Sequence, residues 1–252
     1  MYTSVQNLGQ KTYIWNPWYG CYPVSEACEK CFIKNKNIFY DKSYTLPYKD
    51  KPLGTVILVS LQSDFFLPEA DAHRVYTWRE IKENQHLIFF IITKRADRIK
   101  NFLPDDWGEG YPNVILSVTV ENQKRADERI PYLLDIPAQH RWISCTPLLE
   151  RVDISKYLQT GLIEGVEALG EKYYPYEEAR PLRQEWVEDL FSQCFISDVR
   201  FSLLGLGSNF IYKDGTVIAD CSTCYHSALA DALQLNNIKA ITFALPEKNI
   251  TY

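Results

Sequence analysis

No apolar run in this chain of 252 residues is long enough to cross a bilayer. The longest, Leu87–Ile92, is far short of the ~18 residues a spanning helix needs. The first residues, Met1-Tyr2-Thr3-Ser4-Val5-Gln6, lack the basic segment leading into an apolar one that marks a secretory signal. Together these absences predict a cytoplasmic protein with no membrane partner. A basic excess is missing as well: 27 Lys and Arg stand against 32 Asp and Glu, a net charge of −5. Phosphate backbones call for a basic surface, so nucleic acid is not expected as a partner, although a local basic pocket remains open. No Gly-x-Gly-x-x-Gly follows a strand-like run, which argues against a dinucleotide fold. Linkers, low-complexity stretches and repeats are also absent.

What is present is a normal globular share of hydrophobic residues, 46%, enough for a sizeable core without disulfides. Seven cysteines cannot all pair, and in a reducing compartment they point to metal binding or catalysis first. Apolar, β-branched runs recur at Thr55–Leu61, Leu87–Thr93, Asn113–Val120, Arg141–Cys145, Leu162–Val166 and Val199–Leu204. Their spacing of about 20–40 residues is that of a strand–helix unit. The runs are apolar throughout, as strands buried on both faces should be. Between them, Pro68–Gln85 places Val75, Trp78 and Ile81 at helical spacing, and Glu121–Leu134 gathers Ile130, Leu133 and Leu134. Pro181–Cys194 sets Leu182, Trp186, Val187, Leu190, Phe191 and Cys194 on one face. Tyr173–Arg180 reads as a surface loop. The predicted fold is α/β: a partial or complete (β/α) TIM-like barrel of parallel strands with outer helices. It spans residues 1–252 as a single domain, with 209–252 as a C-terminal strand–turn–helix extension around Lys213-Asp214-Gly215.

Cys21, Cys28 and Cys31 form a C-x6-C-x2-C segment. Three thiolates fall one short of a structural zinc shell, and no histidine is near in sequence. They suit a four-iron, four-sulfur cluster with one iron left open. A zinc with a distant fourth ligand, or three unconnected cysteines in a core or loop, are the alternatives.

The surrounding residues carry a resemblance. Trp15-Asn16-Pro17-Trp18-Tyr19-Gly20-Cys21 is followed by Cys28-Glu29-Lys30-Cys31-Phe32, then by Ser60-Leu61-Gln62-Ser63-Asp64-Phe65-Phe66 and Thr93-Lys94-Arg95. Ser117-Val118-Thr119-Val120-Glu121-Asn122, Arg141-Trp142-Ile143-Ser144-Cys145-Thr146-Pro147 and Gly165-Val166-Glu167 continue the order. Over roughly residues 12–205 the chain resembles the phage-type three-cysteine-motif family, an uncharacterised group of phage and bacterial proteins related to the radical SAM enzymes. It departs from that pattern at Thr146, where the family has glutamate, and at Val166 and Ala168. The family's lysine–glutamine–tryptophan is absent from Leu204-Gly205-Leu206-Gly207.

The resemblance implies a barrel of the radical SAM type. In it Cys21, Cys28 and Cys31 hold a 4Fe-4S cluster, S-adenosylmethionine binds the open iron, and an electron donor drives reductive cleavage to a 5′-deoxyadenosyl radical acting on an unknown substrate. Active sites of such barrels lie at the carboxyl ends of the strands, so the matched residues are expected to converge there. Ser63, Asp64, Thr93, Thr119, Asn122, Arg141 and Ser144 are then candidate cofactor-binding residues. Lys94, Arg95, Glu121, Glu167 and Cys145 are candidate catalytic ones. Trp15, Trp18 and Phe32 are candidate shields of the cluster. Cys194, on the apolar helix face, reads as core. Cys221 and Cys224, with His226 nearby, are a second candidate site, for zinc. The competing function is a non-catalytic phage-type adaptor or nucleic-acid-associated protein, with structural zinc or no metal at the three cysteines.

Overall fold

The computed structural model describes residues 12–33, 37–40, 45–219, 243 and 245. Cys221, Cys224 and His226 lie outside the described residues, as does the helix expected after residue 219. Seven strands form one sheet: β1 Tyr13–Trp15, β2 Val56–Val59, β3 Ile88–Thr93, β4 Val114–Thr119, β5 His140–Cys145, β6 Gly165–Leu169 and β7 Arg200–Gly205. Every neighbouring pair is parallel, and the spatial order follows the chain order. Such a sheet is wound in one direction, so its crossovers fall on one face. It curls into a half-barrel, and β1 and β7 are its two edges.

The helices are α1 Asp71–Glu83, α2 Ala96–Ile99, α3 Gln123–Leu134, α4 Ser155–Leu158 and α5 Gln184–Ile196. Alternation along each strand divides the core in two. Ile57, Phe89, Ile91, Leu116, Val118, Ile143, Val166 and Phe201 pack with Trp78, Ile81, Ile130, Leu133, Val187 and Leu190 of the helices. The opposite, concave face carries Val56, Ile88, Phe90, Ile115 and Trp142, covered by Phe243 and Leu245. The Phe243 ring stands 4.3 Å from that of His140. The amino-terminal half of the concave face is therefore filled with apolar side chains.

Several expectations need correction. β1 was not expected. β6 begins at Gly165 instead of Leu162, and a Cβ at Gly165 would stand 2.5 Å from the Trp142 ring, so the indole occupies the space a side chain would take. α5 begins at Gln184, because Leu182 and Arg183 pair with Phe210 and Ile211. Val75 is exposed, and it is Arg74 that turns inward with Trp78 and Ile81, donating from Nε to the Phe65 carbonyl and from Nη2 to that of Leu67. The hairpin around Lys213–Gly215 is present, with Phe210–Ile211 antiparallel to Val217–Ile218. Among the described residues no helix is long and apolar enough to cross a membrane.

Candidate functional site

A cavity of about 530 Å³ opens at the carboxyl ends of the strands. The long segment between β1 and β2 arches over it and brings Cys21, Cys28 and Cys31 to its wall. Ser63, Asp64, Thr93, Lys94, Arg95 and Thr119 line it from the ends of β2, β3 and β4. Nine residues expected to converge thus do so, although they span about a hundred positions of sequence. A second hollow of about 560 Å³ along α5 holds none of the expected residues and includes the ion pairs Arg151–Asp189 and Lys213–Glu188.

The cysteine segment is fastened to one strand end after another. Ser63 Oγ donates to the Gly20 carbonyl at 2.5 Å. Arg95 donates from Nη2 to the Tyr22 carbonyl at 2.9 Å and from Nη1 to Cys21 Sγ at 3.6 Å. Asp64 locks the two loops beneath: Oδ1 accepts from Thr93 Oγ1 (2.6 Å) and the Phe66 amide, and Oδ2 from the Lys94 amide (2.9 Å). Arg95 Nη1 stands 3.2 Å from Asp64 Oδ2. Burial raises the Cys21 thiol above its ordinary range, and the Arg95 charge opposes that rise.

Sequence reasoning missed three residues here. Arg125, from α3, grips Glu26 with two bonds of 3.0 and 3.1 Å, next to Ala27 and Cys28. That hydrogen-bonded grip pulls the Glu26 carboxyl down to about 2. Arg180, from the loop after β6, donates to the Glu26 carbonyl at 3.0 Å and pairs with Glu171. Ser60, one residue beyond β2, lines the cavity at φ 61° with its buried hydroxyl unpartnered among the described residues. Its signal in sequence was only its place in Ser60-Leu61-Gln62-Ser63-Asp64.

Six expected site residues do not line the cavity. Arg141 is the second residue of β5, at the amino end of the strand, and its guanidinium donates to the Ile136 carbonyl at 2.6 Å. Cys145 faces the helix layer, buried near Cys194, and burial pushes its thiol well up. Glu121 is fully buried, paired with Arg129 at 2.7 Å. Asn122 caps α3 by accepting from the Arg125 amide. Ser144 and Glu167 are on the concave face within the sheet, where Ser144 Oγ donates to Glu167 Oε1 at 2.7 Å and shares a 2.7 Å bond with Ser117. Removal from water raises the Glu167 carboxyl to about 7. Cys194 is core as expected, its thiol pushed up to about 12 by burial.

Among the described residues no three His, Cys, Asp or Glu side chains converge on a single ion position. The donors the cavity wall offers are the three thiols, and the Arg95 N–H on Cys21 Sγ is the kind of donor that tunes cluster sulfurs.

Fold and cavity define an α/β half-barrel protein with a thiol-lined pocket at the strand ends. The chain belongs to a family described as a protein of unknown function, DUF5131, whose match covers residues 34–213. That match takes in β2 to β7 and begins after Cys31. No curated protein and no solved structure matches the chain.

Proposed function

We propose that the chain holds a four-iron, four-sulfur cluster through Cys21, Cys28 and Cys31 and binds S-adenosylmethionine beside it, as a radical-SAM-type enzyme. One observation carries this reading: three thiols from one arched segment line the same cavity at the carboxyl edge of a parallel half-barrel. When bound, such a cluster supplies single electrons at low potential, the means by which a sulfonium carbon–sulfur bond is cleaved reductively. An external electron donor is then required.

The chain's own residues hold and shelter the site. Asp64 and Arg95 fix the two loops under Cys21, and Arg125 and Arg180 fix the Glu26–Cys28 turn. Cys28 is already out of water, with Ser25 Oγ 3.9 Å from its sulfur. Trp18 is fully buried and donates from Nε1 to the Asp64 carbonyl, closing the floor behind the loop. Ser63 offers a hydroxyl suited to ribose or the methionyl group.

Anaerobic purification and reconstitution should yield a brown protein with about four irons and four sulfides per chain. Cys28→Ala should abolish this, and Cys194→Ala should not. With dithionite and S-adenosylmethionine the loaded protein should release 5′-deoxyadenosine. A colourless product after reconstitution, or one equivalent of zinc without iron, would overturn the proposal.

A further inference from the structure

Ser60 combines two unfavourable features. Its backbone is in the left-handed region, at φ 61°, which a residue with a side chain rarely occupies. Its hydroxyl is buried among the described residues with no hydrogen-bond partner. Such costs coincide where a ligand repays them. The same wall bears an uncompensated charge. Of the acids lining the cavity, Asp64 is neutralised by Arg95 and Glu171 by Arg180. Lys94 and Lys172 also line it, and neither ammonium group has a hydrogen-bond or ion-pair partner among the described residues. Thr119 adds a second hydroxyl with no partner there.

Register brings these groups together. Ser60 continues the concave-face series of Val56 and Leu58, Lys94 that of Phe90 and Ile92, and Thr119 that of Ile115 and Ser117. Thr93 pairs with Val118, so Lys94 follows at the level of Thr119 on the adjacent strand, and neighbouring strands stand about 4.8 Å apart. Val59 pairs with Ile91, so Ser60 falls at the level of Ile92, one inward-facing position below Lys94 and Thr119. All three line the same cavity, with Lys172 on the loop after β6.

We infer that the cavity takes its substrate by an anionic oxygen group, a phosphate or a carboxylate, held by Ser60, Lys94 and Thr119 with Lys172 at the entrance. Hydroxyl and ammonium donors on an oxyanion make charge-assisted bonds. The inference rests on the proposed reading of this cavity as the substrate site, but anion binding itself does not require the cluster.

The test titrates the full chain, with and without anaerobic iron–sulfide reconstitution, against inorganic phosphate and against acetate. Calorimetry is run at fixed ionic strength in chloride. Saturable binding of one anion is expected, and which one identifies the group. Lys94→Gln should weaken it about tenfold or more, as loss of a charged donor does. Ser60→Ala should weaken it about threefold to tenfold with no fall in melting temperature, because it removes a hydroxyl that has no partner in the free protein. Lys124→Gln, on the exposed surface of α3, should change nothing. Absence of saturable binding, an equal effect of Lys124→Gln, or a Ser60→Ala loss matched by a fall in melting temperature would overturn the inference. So would one-for-one displacement of the anion by S-adenosylmethionine, since the donors would then serve the cofactor. Anion binding in a protein that takes up no iron would sink the cluster alone; iron uptake without anion binding would sink this inference alone.

Discussion

Replacing Glu167 by Gln should make the protein more stable at neutral and alkaline pH, and the gain should vanish in acid. Glu167 lies within the sheet on the concave face, and one of its oxygens accepts from Ser144. The amide of Gln can accept the same bond, so the change removes the charge and little else. Burial raises this carboxyl from 4.5 to about 7, against the smaller lowering effect of Ser144. The folded state therefore keeps a proton that the unfolded state gives up above 4.5. Stability from this group is fully present below 4.5 and is lost as pH rises through 7. At about 1.4 kcal/mol per pH unit, the whole excursion amounts to about 3 kcal/mol. The assay is urea denaturation of the wild type and Glu167→Gln from pH 4.5 to 8, taking the difference between them at each pH so that all other titrating groups cancel. The variant's advantage should grow by about 3 kcal/mol across that range. A difference that stays flat, or that turns against the variant at pH 8, would refute the reasoning and show that Glu167 is charged and compensated in the folded protein.

Two further outcomes follow from the cavity wall. Asp64→Asn leaves the Arg95 guanidinium buried without its countercharge and turns an amide N–H₂ toward a donor, so it should cost about 3–5 kcal/mol, read as a lower urea midpoint. Gly170→Ala places a Cβ 2.1 Å from the Leu206 carbonyl oxygen. Separating those two backbones should cost about 1–3 kcal/mol or more, seen as a drop in melting temperature of several degrees.

The parallel sheet was legible because strands buried on both faces read as unbroken apolar runs, and β2 to β5 fall within two residues of their expected bounds. β1 was not, because three residues, Tyr13–Trp15, carry too little pattern. The cysteine segment and the motifs at the ends of β2 and β3 were found from sequence and meet in one cavity. Arg141 and Cys145 were misplaced for a reason the sequence does contain. They alternate with Trp142 and Ser144, so they share the helix-facing side with Ile143, and a motif read as a block hides that parity. Ser60 was invisible as a site residue because an unpartnered hydroxyl and a left-handed backbone are products of the folded chain. Arg125 and Arg180 were not found, since nothing local reveals that both reach the Glu26–Cys28 turn.

The way that turn is held has a mechanical consequence. The arch carrying the cysteines grows from β1, yet its grips come from the loops after β2, β3 and β6 and from α3, and most end on its backbone carbonyls. It is a tie-bar across the mouth of a half-barrel whose two edge strands each lack an outer partner strand among the described residues. A displacement of the arch is thereby felt at the ends of three strands at once.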